Sequence, residues 1–294
     1  NLLEGIREGE KVVSILPLDR ELIQNPEGHY IIFATSQGRI KRSHLSDYVK
    51  INRNGKYAIK FAKDSDSLVQ VRPATEEDHV VLVSSMGYAC RFLPSEAKTR
   101  VDAATGESVT THTVRVQGRV SQGVAGMKLQ SGDRVVGMIV TDDFDTSVLT
   151  ISKHGMAKRS RLGSGSMVEI KLEDGTTAQG DDGAPLMERD GYRKTNRGTK
   201  GVRTMALSDG DSIIGVRQIP DLSDQLFMLT DKGMMIRMPA TQTKETLGKV
   251  TKGTRIMELR TKDKKSYADE IVFVARLPSD LVERGDVESE GEEE

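Results

Sequence analysis

The residues of this chain whose types and spacing could do chemistry are lysines and arginines set beside recurring glycines. Gly38-Arg39-Ile40-Lys41-Arg42 returns as Gly87 to Arg91, Gly155 to Arg159 and Gly233 to Arg237, each after a β-rich run and a turn. A second glycine follows in every copy, at Gly55, Gly123, Gly201 and Gly253, and opens a short apolar stretch. Around these glycines stand Arg39, Lys41, Arg53 and Lys56 in the first copy and Lys153, Lys158 and Arg161 in the third. Arg193, Lys194, Arg197, Lys200 and Arg203 surround the second glycine of the third copy, and Lys249, Lys252 and Arg255 that of the fourth. Cations on loops and strand edges can contact phosphates, release counterions and bind without a fixed base sequence. The plain alternative is that they only solvate the surface; clustering around repeated glycines favours contact.

Arg42, Arg91, Arg159 and Arg237 form a separate set. Strand alternation puts each on the face of the small or apolar residue two positions earlier, so they are expected to point inward. An inward arginine needs an acceptor, and Asp66, Asp133, Asp211 and Asp269 recur at matching corners as the expected partners. Other chemistries find little support. Gly163-Ser164-Gly165 lacks a third glycine, Gly55-Lys56 is followed by Tyr57 rather than Ser or Thr, and no nucleophile elbow is present. The five histidines lack metal-ligand spacing, and Cys90 reads as core filler. No cofactor and no metal are expected, and no catalytic residue is assigned. With no Trp and few Phe and Tyr, base stacking has few platforms, which favours duplex over single strands.

The elements that must position these cations read as short strands. Tyr30–Thr35 and Arg39–Ser43 form a hairpin about Ser36-Gln37-Gly38, and Lys56–Phe61 follows as the next strand. Corresponding hairpins are expected about Gly87, Gly155 and Gly233, and no segment shows the periodicity of a helix. The spacing between the two glycines runs from 17 to 46 residues, so one loop of the repeat is free to grow. Thr113–Val116 suggests an extra strand in the second copy, and Met167–Leu172 with Thr176–Ala178 a hairpin in the third. The division that follows is the end of a preceding blade at 1–13, blades at 14–69, 70–136, 137–214 and 215–278, and a disordered acidic tail at 279–294. The chain is −1 overall; residues 280–294 carry −7, leaving +6 on the rest. Repeats this small must bury their faces against one another, so the fold class is all-β and blade-like.

These residues resemble the C-terminal domain of the bacterial DNA gyrase A subunit, whose close relative is the A subunit of topoisomerase IV. The resemblance rests on the four Gly-x-x-x-Arg copies, the later glycine-led strands, the Asp133–Gly137 and Asp211–Gly215 corners and the acidic tail. It implies a β-pinwheel of four-stranded blades that exchange strands, with double-stranded DNA wrapped on its outer rim. It implies no catalysis in this chain, partnership with the gyrase A-subunit cleavage core and the gyrase B subunit, and a cytoplasmic, nucleoid-associated location. Two departures stand out. The family usually has six blades in gyrase, so the chain reads as incomplete on its N-terminal side. The gyrase box Gln-Arg-Arg-Gly-Gly-Lys-Gly is absent, and Thr195-Asn196-Arg197-Gly198-Thr199-Lys200-Gly201 is its nearest echo. A topoisomerase IV domain sensing DNA geometry and a propeller-like protein scaffold are the alternatives.

Overall fold

The computed structural model describes residues 12–50, 55–101, 106–172, 174–246, 251–263 and 265–281. Two compact units emerge. One contains the chain up to Ser84 with Ala89–Asp142 and Thr195–Gly201; the other contains Ser85–Tyr88, Asp143–Lys194 and the chain from Val202. The acidic tail beyond residue 281, Arg53 and Lys249 lie outside the described residues.

Each of the four repeats builds an antiparallel hairpin. The pairs are β1 (Tyr30–Thr35) with β2 (Arg39–His44), β4 (His79–Ser84) with β5 (Tyr88–Phe92), β10 (Ser147–Ser152) with β11 (Met156–Arg161), and β16 (Gln225–Thr230) with β17 (Met235–Pro239). Their turn glycines, Gly38, Gly87, Gly155 and Gly233, all have positive φ, which a side chain would disfavour. A corner strand then pairs with the first strand of its own hairpin: β3 (Leu68–Ala74) on β1, β9 (Val135–Thr141) on β4, β15 (Ile213–Ile219) on β10 and β19 (Ile271–Leu277) on β16. All four ladders break register at the same place, the last residue of the hairpin's first strand. The expected blade boundaries at 69/70, 136/137 and 214/215 fall inside β3, β9 and β15.

The stretches led by the second glycine are shorter than expected and belong to the preceding copy's sheet. β8 (Val124–Ala125) pairs with β2, giving the order β3-β1-β2-β8; β18 (Thr254–Arg255) pairs with β11, giving β15-β10-β11-β18. β14 (Val202–Arg203) is the corresponding stretch after Gly201. Among the described residues the fourth repeat's sheet has three strands, β17-β16-β19, with β19 paired within its own repeat. Lys56–Phe61 does not form a strand, because no hairpin precedes β1 among the described residues to supply its ladder. The apolar-rich run Val12–Leu18, at the start of the described residues, also forms no strand. Among the described residues three short helical turns, α1 (Arg20–Gln24), α2 (Ser46–Val49) and a 3₁₀ turn at Ala240–Gln242, occupy connections.

The insertions hold hairpins of their own. In the second copy the hairpin is β6 (Ala97–Val101) with β7 (Ser108–His112), upstream of the expected Thr113–Val116 strand; Val114 is buried instead. In the third, β12 (Met167–Glu169) pairs with β13 (Met187–Arg189), and Lys171 bridges Thr177 across the Asp174-Gly175 turn as the sequence suggested. Burial tracks position in the sheet. All six residues of β1 and of β10 are buried, as expected of strands covered on both faces, whereas β16 alternates buried and half-buried residues. One core gathers Ile31, Phe33, Leu45 and Val71; another gathers Leu149, Ile151, Leu226, Met228, Met257 and Val274.

Candidate nucleic-acid interface

The inward arginines are the first test of the pattern. Arg42, Arg91 and Arg159 are buried, as alternation requires, but Arg237 is exposed. The difference lies in what covers the return strand. The Arg42 carbonyl accepts from the Gln117 amide, Arg91 from Thr195 and Arg159 from Thr246, each on the variable loop of the next copy; no described segment covers Arg237. The expected aspartate partners are replaced by others. Arg42 stacks 3.7 Å from the Tyr30 ring centroid and pairs with Glu76 at 2.7 Å. Arg91 donates to His79 Nδ1 at 3.3 Å, and Arg159 donates to the Thr243 carbonyl at 2.9 Å and Glu245 at 3.0 Å.

The corner aspartates serve the hairpin turns instead. Asp66 accepts from the Gln37 amide at 2.9 Å, Asp211 from His154 at 3.2 Å and Asp269 from Lys232 at 3.2 Å. Register explains the separation. Arg42 lies opposite Ile32, three residues back from the corner, about 10 Å away at strand rise. Turn amides lack ladder partners, so the nearby carboxylate satisfies them.

Two of the expected phosphate contacts are internal. Lys41 is 0% and Lys158 2% exposed. Lys41 Nζ donates to the carbonyls of Ala58 at 2.5 Å and Arg119 at 2.6 Å; Lys158 Nζ donates to the Thr204 carbonyl at 2.7 Å. Burial lowers both ammonium pKa values to about 8, with Asp47 opposing the shift at Lys41. Cys90 takes the same place in the second copy and reaches the Gly126 and Asn196 carbonyls. In the first three copies the position is therefore an anchor for the chain that follows the second glycine, and in the fourth it is Ile236, which has no side-chain donor. Arg39 is similarly occupied, donating to the Gln122 and Gly123 carbonyls at 2.8 and 2.7 Å.

The second glycines sit where the chain passes over the preceding return strand. A Cβ at Gly123, Gly201 or Gly253 would collide with the carbonyl of Ile40, Ala89 or Ala157. These glycines thus serve close approach of protein backbone as well as positive φ.

What remains at the surface is a smaller set. Arg161, Arg193, Lys194, Lys200, Arg203, Lys252 and Arg255 are exposed; Lys56, Lys153 and Arg197 are half-buried. Arg161 is engaged by Asp145 and Asp190, Arg255 by Glu258 and Lys153 by Glu270. Arg203 lies over Tyr88 and donates to its hydroxyl at 2.8 Å, while Lys56 bonds the Lys50 carbonyl. Arg193 and Lys252 have no side-chain partner among the described residues. In the first unit the box echo is laid against β8 and its continuation: the Gly198 amide donates to Gly126 and the Lys128 amide to Thr199. Arg197 holds the join through the Thr113 and Ala125 carbonyls. That leaves Lys200 exposed beside exposed Lys128, with Lys98 bonded to Asn196 at 2.9 Å. Lys98 and Lys128 lie outside the repeated motif, and only the fold brings them here.

Repeated hairpins joined by strand exchange, with lysine and arginine on the exchanged segments, define an all-β, β-pinwheel module of the propeller class. A profile of the family described as "DNA gyrase C-terminal domain, beta-propeller" matches residues 29–75, 108–142, 146–164, 187–220 and 224–277. The chain belongs to that family. It is 29% identical over 253 residues to the DNA gyrase A subunit of Staphylococcus epidermidis and 30% identical over 287 residues to that of Rickettsia prowazekii. These matches cover 86% and 88% of the chain, which spans 23% and 29% of those relatives. In fold it is similar to the C-terminal domain of DNA topoisomerase IV, with TM-score 0.68, 18% identity, and coverage of 98% of this chain and 73% of that one. The DNA gyrase A C-terminal domain gives 0.59 and 20%, covering 86% and 67%. No helix among the described residues is long and apolar enough to cross a membrane.

Proposed function

We propose that the chain is a non-catalytic DNA-binding and DNA-wrapping domain of a gyrase A subunit, presenting a duplex segment to the cleavage core for negative supercoiling. In this reading its partners in the cytoplasm are the gyrase A-subunit cleavage core and the gyrase B subunit. The observation that carries the proposal, beyond family membership, is the recurrence of Lys-Gly-x-Arg on the exchanged segments. Lys200-Gly201-Val202-Arg203 and Lys252-Gly253-Thr254-Arg255 place an exposed lysine and an exposed arginine at equivalent repeat positions. Lys98 and Lys128 in the first unit and Arg193 and Lys194 in the second are further exposed cations that offer phosphate contacts, whereas Lys41 and Lys158 are buried and held by backbone carbonyls.

Wrapping must offset the elastic cost of bending, on the order of 1–6 kcal/mol for a 20–30 base-pair site bent by 40–90°. Contacts from successive repeats are therefore needed. The test is a series of duplex lengths bound at several salt concentrations. Log affinity should fall linearly with log salt, and Lys252→Ala or Arg255→Ala should each reduce the slope by about 0.9. Affinity should rise with duplex length until the contacts are spanned. Salt-insensitive or length-independent binding would instead favour a protein-interaction scaffold. Binding that never constrains a supercoil in a closed circle would favour the topoisomerase IV reading.

A further inference from the structure

The hairpin inserted in the third copy is pinned at its base and encloses a cleft with the blade that carries it. At that base the Leu162 amide donates to the Thr146 carbonyl and the Tyr192 amide to that of Leu162, both at 2.9 Å. Arg161 pairs with Asp190 at 3.5 Å, and a Cβ at Gly191 would strike the Leu162 carbonyl. The two ends of the insertion are thus locked together. From there β12 and β13, with β11, β14 and Glu245–Thr246, line a cleft of about 360 Å³ that lies wholly within the second unit. This is the small end of the range for ligand pockets, suited to a small molecule and not to a double helix.

The charges that line this cleft do not cancel. Arg161 is engaged by Asp145 and Asp190, and Glu245 by Arg159. Arg189 and Arg203 meet no carboxylate among the described residues: Arg189 donates to the Gly165 carbonyl at 2.7 Å, and Arg203 lies over the Tyr88 ring. Lys158 is a third cation in the lining, 2% exposed, and burial lowers its ammonium to about 8. A nearby anion would offset that desolvation. Against these three stands Glu188, which has no side-chain partner among the described residues, so the lining carries an excess of two positive charges. Val168, Val202 and the ring of Tyr192 add apolar surface, and the Tyr192 hydroxyl is tied to Thr204.

We propose that the cleft binds a small organic phosphate monoester, with Arg189 and Arg203 on the phosphate and Val168 and Val202 against its apolar body. Guanidinium groups fit phosphate oxygens in paired, charge-assisted hydrogen bonds. A phosphate monoester carries nearly two negative charges at neutral pH and matches the excess, whereas a carboxylate leaves one cation unmatched. The ligand would tie β13, through Arg189, to the exchanged segment β14, through Arg203, which gives the inserted hairpin a task of its own. The site is separate from duplex wrapping except at Arg203, which the wrapped duplex would also contact, so Arg189, Val168 and Glu188 carry the decision.

The test is titration calorimetry of the chain with phenyl phosphate, inorganic phosphate and benzoate. Phenyl phosphate should bind more tightly than either of the others. Arg189→Ala should weaken it about tenfold, the loss of one charged hydrogen-bond partner. Val168→Ala should weaken phenyl phosphate several-fold and leave inorganic phosphate unchanged. Glu188→Gln removes the opposing charge at an exposed position and should tighten binding, a gain that damage to the fold would not produce. Lys252→Ala, at an exposed cation outside the cleft, should leave phenyl phosphate binding as it was, and binding that persists while duplex affinity falls supports a site apart from the duplex contacts. No heat at millimolar phenyl phosphate would overturn the proposal. So would equal weakening by Arg189→Ala and Lys252→Ala, which means an adventitious ion only, or a Glu188→Gln variant that binds no better than the parent.

Discussion

Arg159 and Arg237 occupy the same place in the repeat and should respond differently to truncation. Arg159→Ala removes a buried guanidinium from Thr243, Ser147 and Glu245, and should cost about 3 kcal/mol in urea unfolding. Arg237→Ala, at an exposed edge, should stay within about 0.5 kcal/mol. Lys158 gives a pH signature. Its folded pKa is lowered to about 8, while the unfolded chain holds the proton to about 10.4. The unfolded state therefore binds more protons between those limits, and this group's contribution to stability grows as pH rises from about 8 to about 10. The urea midpoint of the parent chain should rise over that window relative to Lys158→Met. Parallel pH profiles for the two proteins would assign Lys158 no such role.

At the scale of elements, the glycines separate turn geometry from close approach. Gly175 has positive φ with open space around it, so Gly175→Ala should cost about 1 kcal/mol, the price of the backbone region alone. Gly253 has similar φ but lies against the Ala157 carbonyl, so Gly253→Ala should cost about 1–3 kcal/mol more as the exchanged segment is pushed off β11. Chemical denaturation of both variants measures the difference. Equal losses would mean that strand exchange adds no steric demand of its own.

For the whole molecule, the charge division sets the expectation. Residues 280–294 carry −7 and the remainder +6, so the acidic end can compete with DNA for the same exposed cations. Removing residues 280–294 should raise duplex affinity, most at low salt where the attraction is least screened. Unchanged affinity and wrapping would leave the acidic end a role in solubility only. The experiment is best run beside the salt series on Lys252 and Arg255, since both read the same electrostatic contribution.

The sequence by itself determined the four hairpins, their turn glycines and the all-β class, because those features depend on neighbours a few residues apart. The family followed from the same repeated spacing. The inward direction of Arg42, Arg91 and Arg159 was also legible, since a strand alternates with a fixed period. Their partners were not: Glu76, His79 and Glu245 lie 12 to 86 residues away and meet the arginines only through sheet register and inserted loops. Tertiary structure likewise decided that Lys41 and Lys158 face inward while Lys98 and Lys128 join the surface set. A lysine carries the same charge in either setting, and only the strand laid over it fixes whether that charge meets a backbone carbonyl or solvent.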